Sequence, residues 1–321
     1  RIINWLVFAW RVSRLFKFVN TKPDVVIISS PSLISFIGAN SLAKRFKSKL
    51  IFDVRDLWPM ALVEIAGFSN NNLLIKLMQL IENSAYKKSD IVLSSIPYAF
   101  EHMVAHGMDR DKFHYLPNGF DKEELINKER LKNSVRDIIP MGKFVVGYIG
   151  SLGEVNAIKF LLEAAQLSKH DKSIVFIITG KGSELNNLKM EVKNKKLYNV
   201  VFIDQIPKKQ VQSMIELFDI CYIGWLNKPG YRFGVSPQKI PEYFFSGKPI
   251  IHSFSGRGCA IRDAKAGVSI EAENPLEIYN SILILKNMPL LKRKDLGENG
   301  RKYSLKHYDY QKIVKKLISV L

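Results

Sequence analysis

The sequence predicts an α/β protein built from two similar doubly wound units. Short apolar runs rich in Val and Ile alternate with helix-like stretches, a pattern typical of parallel sheets covered on both faces. A chain of 321 residues exceeds one domain of ordinary size. A charged stretch at 120–142 interrupts the alternation, and we interpret it as the link between the two units.

The first series begins with an amphipathic, basic helix over residues 1–19, because Arg11, Arg14 and Lys17 recur at three-residue spacing in an apolar run. This helix either packs on a sheet with its cations in water or lies on a membrane surface. Since the chain enters the helix directly, we expect a first domain, 1–119, that is incomplete at its N-terminus. The elements that follow are predicted as strand 24–30, helix to about 45, strand 50–54, helix 72–88, strand 90–94, a short helix opened by Pro97 and strand 113–116.

The second series follows the link and forms a second domain, 143–305, with a C-terminal amphipathic helix, 306–321, that could pack back on the first domain. No repeat of solenoid period occurs, so we interpret the halves as two similar doubly wound units with a ligand cleft between them. The predicted elements are strand 144–149, helix 158–168, strand 174–179, helix 184–194, strand 200–204, helix 208–217, strand 220–225 and closing helices from 275.

The charge balance narrows the class of partner. The chain carries 48 Lys and Arg against 30 Asp and Glu, a formal net charge of +18 that is spread over both halves. This excess favours phosphates on nucleic acid, anionic lipid or a phosphorylated small molecule, and charge alone does not choose among them. The 2 cysteines form no disulfide framework or zinc site, which fits a reducing compartment. No uncharged stretch reads as a membrane span, so we expect a soluble or peripheral protein.

Residues 231–251 combine a loop, a helix start, a helix and a buried strand. Ser236 could cap the helix, and Pro237 suits its first position. Lys239 and Glu242 then lie three apart on one helical face, which brings a cation and a carboxylate into one small region. Spacing alone fits a surface helix as well as a ligand site.

Two glycine-bearing turns come directly after predicted strands of the second series. Residues 150–153 read Gly-Ser-Leu-Gly and residues 179–182 read Thr-Gly-Lys-Gly. Free backbone N–H groups and a helix N-terminus at such a place can hold a diphosphate, and Lys181 could meet a phosphate. Taken alone, a plain strand-to-helix turn with an exposed lysine is the commoner explanation of either run.

Residues 53–59 read Asp-Val-Arg-Asp-Leu-Trp-Pro and follow a strand of the first series, where α/β folds place active residues. Asp56 could polarise a substrate hydroxyl and Arg55 could face an anion, while a structural Asp-Arg pair remains an equal alternative. His102 and His106 lie four apart on a predicted helix, but no further ligand is evident. We therefore expect no metal.

Taken together, the motifs resemble those of the family 4 glycosyltransferases of the GT-B fold, especially the bacterial enzymes of capsule and O-antigen synthesis. The resemblance spans nearly the whole chain, and its order along the chain is right. Its carriers are FDVRDLWP at 52–59, YLPNGFD at 115–121, VVGYIGSLGEVNAIKFLLEAA at 145–165, ITGKGSE at 178–184 and FGVSPQKIPEYFFSGKPII at 233–251.

The resemblance implies a GT-B fold of two Rossmann-like domains facing each other across a cleft, with three residues in catalytic roles. Glu242 would hold the ribose hydroxyls, Lys239 would meet a phosphate, and Asp56 would line the sugar and acceptor side. The implied substrate-binding residues are Gly150, Ser151 and Gly153 over the diphosphate, Lys181, Gln205 and Ile206 beside the base, Phe233, Gly234, Val235, Ser236 and Pro237 against the sugar diphosphate, and Arg55.

The sequence departs from the family pattern in two places. Tyr231 stands where a glutamate usually precedes Phe-Gly, and Gly234 occupies the position eight before Glu242. An Arg and Lys pair common after the first strand of the second domain is missing, since Ser151 and Asn156 lie there. In a subgroup of the family with the motif Ser-Pro-x-Lys-x-x-Glu, other residues take over the function of these missing side chains, and this sequence fits that subgroup.

The resemblance implies transfer of a sugar from a nucleoside diphosphate donor, with retention of anomeric configuration and without metal or cofactor. The expected donor is a UDP-sugar such as an N-acetylhexosamine, and the acceptor is a glycan or a polyprenyl-diphosphate-linked sugar. We expect a protein on the inner face of the cytoplasmic membrane, in contact with anionic lipid and not nucleic acid. A nucleotide-sugar epimerase of the same fold and a non-enzymatic basic module that binds nucleic acid or membrane are the alternatives.

Overall fold

The computed structural model describes residues 2–321. The chain forms two compact units, and each draws on separate parts of the sequence. The first comprises the chain up to Pro117 together with Lys228–Ser236 and Gly256–Gly258. The second comprises Asn118–Asn227, Pro237–Ser255 and Cys259–Leu321.

The first unit is a parallel sheet covered by helices. Its strands follow one another in the order β1-β2-β3-β4, with Ile28 beside Phe52 and Val92 beside Phe113. Apolar residues of the strands and helices make one core. Its elements are α1 (Ile2–Ser13), β1 (Val25–Ser29), α2 (Ser35–Phe46), β2 (Lys49–Val54), α3 (Met60–Glu64), α4 (Leu73–Lys88), β3 (Ile91–Ser94), α5 (Ala99–Ala105) and β4 (Phe113–Tyr115).

The second unit contains a six-stranded parallel sheet with buried residues on both faces. Its elements are α6 (Lys122–Ile126), α7 (Asn133–Arg136), β5 (Phe144–Ile149), α8 (Ile158–Leu167), β6 (Ile174–Thr179), α9 (Leu185–Asn194), β7 (Val200–Ile203), α10 (Val211–Ile215), β8 (Ile220–Gly224), α11 (Lys239–Phe245), β9 (Ile250–Ser253), α12 (Ala260–Asp263), β10 (Gly267–Ile270), α13 (Pro275–Asn287), α14 (Leu290–His307) and α15 (Tyr310–Val320).

The order of this second sheet is β10-β9-β8-β5-β6-β7. The chain therefore builds outward from β5 through β7 and then returns to the other side of β5, which is the strand order of a doubly wound dinucleotide-binding fold. Double winding is confirmed here. In the first unit the described strands simply follow chain order, so this sheet shows no reversal.

The predicted link at 120–142 is part of the second unit. Phe120, Leu125 and Ile139 are buried in that unit's core, and short helices α6 and α7 lie between them. Helix α15 belongs to the same unit, where the backbone of Phe120 exchanges hydrogen bonds with Tyr308 and Tyr310. These contacts bind both segments to the second sheet.

The segment 228–236, which sequence analysis assigned to the second domain, belongs to the first unit. Phe233 is buried in the first core, and its carbonyl accepts a hydrogen bond from the Tyr98 amide at 3.0 Å. Arg232 Nη2 also pairs with Glu64 Oε1 at 3.1 Å. Sequence order hides this arrangement because the chain leaves the second unit and returns to it within a few residues.

Over residues 2–321, no helix is both long enough and apolar enough to cross a bilayer. In the same range, no three His, Cys, Asp or Glu side chains are grouped so that they could hold a metal ion. His102 instead lies in the first unit, with Nε2 at 3.3 Å from the buried Glu82 carboxylate.

Candidate functional site

A cavity of about 310 Å³ opens in the second unit where strands β5 and β6 end and β7 leads into a loop. Parallel sheets place ligands at the carboxyl ends of their strands, so its position is that of a ligand site. Five of its lining residues are ones that the sequence assigned to a substrate. The lining residues are Ile149, Gly150, Ser151, Thr179, Gly180, Lys181, Gln205, Ile206, Lys208 and Val211.

The two glycine turns pack backbone against backbone at the cavity wall. The Gly150 amide donates to the Thr179 carbonyl at 3.0 Å, and the Leu152 amide donates to the Lys181 carbonyl at 2.8 Å. A Cβ on Gly180 would lie 1.9 Å from the Gly150 carbonyl oxygen. A glycine at position 180 is therefore required by the close approach of the two turns.

Lys239 begins helix α11 and reaches the first of these turns. A Cβ on Gly150 would lie 2.5 Å from its Cε, so the lysine passes directly over this glycine. Its Nζ donates to the Tyr148 hydroxyl at 2.9 Å and to Asn156 Oδ1. Within residues 2–321 no carboxylate lies at ion-pair distance from the ammonium.

Desolvation lowers the pKa of Lys239 to about 8. A cation that is partly removed from water, and held by neutral acceptors, is poorly compensated in the unliganded protein. An anion bound beside it would compensate it. The electrostatics of this lysine therefore favour an anionic ligand.

Two buried tyrosines fix the helix and the turn. The Tyr243 hydroxyl accepts from the Ile149 amide at 2.8 Å, which holds α11 against the end of β5. The Tyr148 hydroxyl lies 2.5 Å from the Ser151 carbonyl, to which it donates. The site thus has a rigid base formed by β5 and α11.

Glu242 lies one turn further along α11 and forms an ion pair with Lys208, a cavity-lining residue. The Glu242 side chain is only 13% exposed, whereas that of Lys208 is 53% exposed. Gln212 Nε2 also donates to the Glu242 carbonyl at 3.1 Å. Lys239 and Glu242 therefore have separate partners.

The loop before α11 is arranged differently from the sequence prediction. The helix begins at Lys239 with Gln238 as N-cap and no side-chain capping bond, so neither Ser236 nor Pro237 has the predicted capping or first-turn place. Gly234 has φ +99°, and a Cβ there would lie 2.7 Å from Pro97 Cγ. The bulky group that this glycine accommodates is therefore Pro97.

The remaining predicted residues of this loop and turn occupy varied environments. Phe233 packs in the core of the first unit, which occupies its ring. Val235 and Ser236 are half-buried. Gly153 lines a second cavity of about 240 Å³, on the α8 and α9 side of the turn.

Arg55 and Asp56 follow β2 in the first unit. Their amides both lie close to the Ser30 hydroxyl, at 3.0 and 3.3 Å. Arg55 Nε pairs with Asp53 Oδ2 at 3.1 Å, so the structural pair that sequence analysis considered is formed with Asp53. Partial desolvation raises the pKa of Asp56, and Arg55 only partly offsets it. Asp56 in turn helps to raise the pKa of Tyr231.

Sequence reasoning missed four residues of the site. Tyr148 reads as an ordinary strand residue, and Lys208 as an exposed helix lysine. Thr179 ends β6 with a buried hydroxyl that has no hydrogen-bond partner in the described chain. Asn156 carried the one usable signal, because it occupies a place where a cation is common, and here it receives the cation of Lys239.

Each half of the chain matches a known protein family. Residues 129–303 match the family described as "Glycosyl transferases group 1". Residues 1–119 match the family described as "Glycosyl transferase 4-like domain".

One curated relative is the "Putative colanic acid biosynthesis glycosyl transferase WcaI" of Escherichia coli (strain K12), 22% identical over 226 residues. The match covers 68% of this chain, and the chain spans only 54% of that protein's length.

Two solved structures are similar over nearly the whole chain. Anabaena Alr3699/HepE, in complex with UDP, has a TM-score of 0.74 at 15% identity, covering 98% of this chain and 82% of that one. Sucrose-phosphate synthase from Thermosynechococcus elongatus has a TM-score of 0.77 at 15% identity, covering 98% and 77%. The predicted GT-B fold of two parallel-sheet α/β domains is confirmed.

Proposed function

The chain belongs to the group 1 glycosyl transferases, and from that premise we propose that it transfers a sugar from a nucleoside diphosphate sugar bound in the second unit. One observation carries the proposal. A strand-end cavity is lined by two glycine turns, and beside one of them lies a lysine that pairs with no carboxylate of residues 2–321. Backbone N–H groups and an uncompensated cation are what a diphosphate requires.

Lys239 is proposed to bind the leaving diphosphate. Negative charge accumulates on the leaving oxygen as the glycosidic bond breaks, so a cation aimed there stabilises the transition state more than the ground state. Its neutral partners, Tyr148 and Asn156, hold the ammonium without cancelling its charge. The Ser151 amide, which is not one of the amides that pair the two turns, would supplement it.

Glu242 is proposed to accept hydrogen bonds from the ribose hydroxyls, with Lys181, Gln205 and Ile206 bordering the base. The pairing of Glu242 with Lys208 supports this role, because that pair holds the carboxylate at the cavity wall. UDP is the proposed nucleotide, since Anabaena Alr3699/HepE binds UDP with the same fold. An N-acetylhexosamine is the proposed sugar.

Transfer is proposed to retain anomeric configuration and to need neither metal nor cofactor. Asp56 would line the acceptor side in the first unit, where its raised pKa suits an exchange of protons with a hydroxyl. The proposed acceptor is a glycan or polyprenyl-diphosphate-linked sugar of surface polysaccharide synthesis. The proposed location of the protein is the cytoplasmic face of the membrane. There it would bind anionic lipid and not nucleic acid.

The decisive experiment is calorimetric titration of the protein with UDP at pH 7. Wild type is expected to bind, and Lys239→Ala and Glu242→Ala each to weaken binding by about 10- to 100-fold, as expected for lost hydrogen bonds to charged groups. Lys195→Ala is the control, because Lys195 pairs with Glu191 along α9, away from the cavity-lining residues. Unchanged affinity in Lys239→Ala would contradict the proposed phosphate role.

A further inference from the structure

Tyr148 is the next-to-last residue of β5, is fully buried, and has a hydroxyl that contacts two parts of the site at once. The oxygen lies 2.5 Å from the Ser151 carbonyl and 2.9 Å from Lys239 Nζ. Ser151 belongs to the 150–153 turn, and Lys239 belongs to α11. No role follows for it from sequence.

The direction of each hydrogen bond is fixed by chemistry. An ammonium group only donates and a carbonyl only accepts, so the Tyr148 hydroxyl must accept from Lys239 and donate to Ser151. Lys239 also donates to Asn156 Oδ1. Of its three N–H groups, one therefore remains without an acceptor among the described residues and is available to an anion.

We propose that Tyr148 is a positioning residue that couples the Lys239 ammonium to the 150–153 turn, so that an anion drawn to the lysine also acts on the turn beside it. This rests on the proposed function, since the anion is the diphosphate of the donor. When an anion compensates the charge of Lys239, the ammonium becomes a weaker donor to the Tyr148 hydroxyl, and the bond that this hydroxyl donates to Ser151 weakens with it.

Packing alone does not account for this arrangement. Tyr222 lies in the same core, is as deeply buried, and makes no hydrogen bond to Lys239 or to the turn. The ring of Tyr148 also lies 4.6 Å from Lys239 Nζ, a contact that phenylalanine would keep. Replacing Tyr148 with phenylalanine therefore removes the hydroxyl hydrogen bonds and keeps the contact between the ring and the ammonium.

The test measures the pKa of Lys239 in the unliganded full chain. Lysine labelled with ¹³C at Cε is titrated by NMR, and the Lys239 signal is assigned by its loss in Lys239→Arg. Of the titratable groups, Tyr148 faces the ammonium from β5, while Glu242 on its own helix pairs with Lys208. The starting pKa is about 8.

Tyr148→Phe is expected to lower this pKa by about one unit, because the ammonium loses an acceptor. UDP affinity at pH 7.5 should fall about threefold, because the charged fraction of Lys239 falls from about three quarters to about one quarter. The fall of affinity with rising pH should begin at lower pH. Tyr222→Phe is expected to change neither. An unchanged Lys239 pKa in Tyr148→Phe would overturn the coupling even if UDP binds normally.

Failure of the proposed function would give a different result in these measurements. If wild type binds no UDP, that function is wrong, while the pKa shift in Tyr148→Phe still decides the hydrogen bond itself. Should Tyr148→Phe lose its near-UV circular dichroism, 3-fluorotyrosine at position 148 replaces it. This group keeps the fold and weakens the acceptor, so a smaller downward shift is expected, and no shift overturns the inference.

Discussion

Gly180 shows how one residue can determine the shape of the proposed donor site. Its φ of +147° and the 1.9 Å that would separate its Cβ from the Gly150 oxygen leave no room for a side chain. The sequence showed two glycine turns and suggested that each approaches a ligand. The structure shows that the two turns contact each other, and together they form one wall of the cavity.

Gly180→Ala is expected to separate the two turns, with a cost of about 2 kcal/mol or more in the free energy of unfolding. UDP affinity should fall more than tenfold in calorimetric titration. Gly142→Ala is the matched control, because Gly142 also has positive φ, +73°, but no atom lies within 4 Å of its added Cβ. Similar losses in both variants would show that backbone strain alone is responsible.

Helix α1 exposes several apolar side chains, and a basic side chain just after the helix lies against one of them. Leu6, Phe8 and Trp10 are 53%, 49% and 53% exposed. The Arg14 guanidinium lies 4.0 Å from the Trp10 ring centroid. The opposite side packs on the first core through Trp5 and other residues, as the packing alternative predicts, and the membrane alternative stays a prediction.

We expect α1 to bind anionic vesicles in sedimentation assays. Arg14→Gln should weaken binding about fivefold, the effect of about 1 kcal/mol per cation near the surface, and Trp10→Ser should weaken it further. Binding should also decline with added salt. Phe68→Ser is the control, since Phe68 is 44% exposed in the same unit but lies outside α1. Equal binding by all variants would contradict a membrane role for α1.

At the scale of the whole molecule, sequence predicted the strands that are buried on both faces and the helices between them. It missed β10, a half-buried edge strand of four residues opened by Gly267, because so short a run has no clear period. It also assigned residues by order along the chain. For that reason the Lys239 contact with Asn156, 83 residues away, and the transfer of 228–236 to the first unit were not predictable.

The position of Phe233 makes the first unit's stability depend on a segment inserted between two parts of the second. Phe233→Ala removes a buried ring, and we expect a loss of about 3 to 5 kcal/mol in the free energy of unfolding of the first unit. Differential scanning calorimetry should show a lower transition for that unit, while UDP still raises the transition of the second. Phe18→Ala is the control, because Phe18 is 78% exposed. A variant in which both transitions stay in place would show that the Phe233 ring does not stabilise the first core.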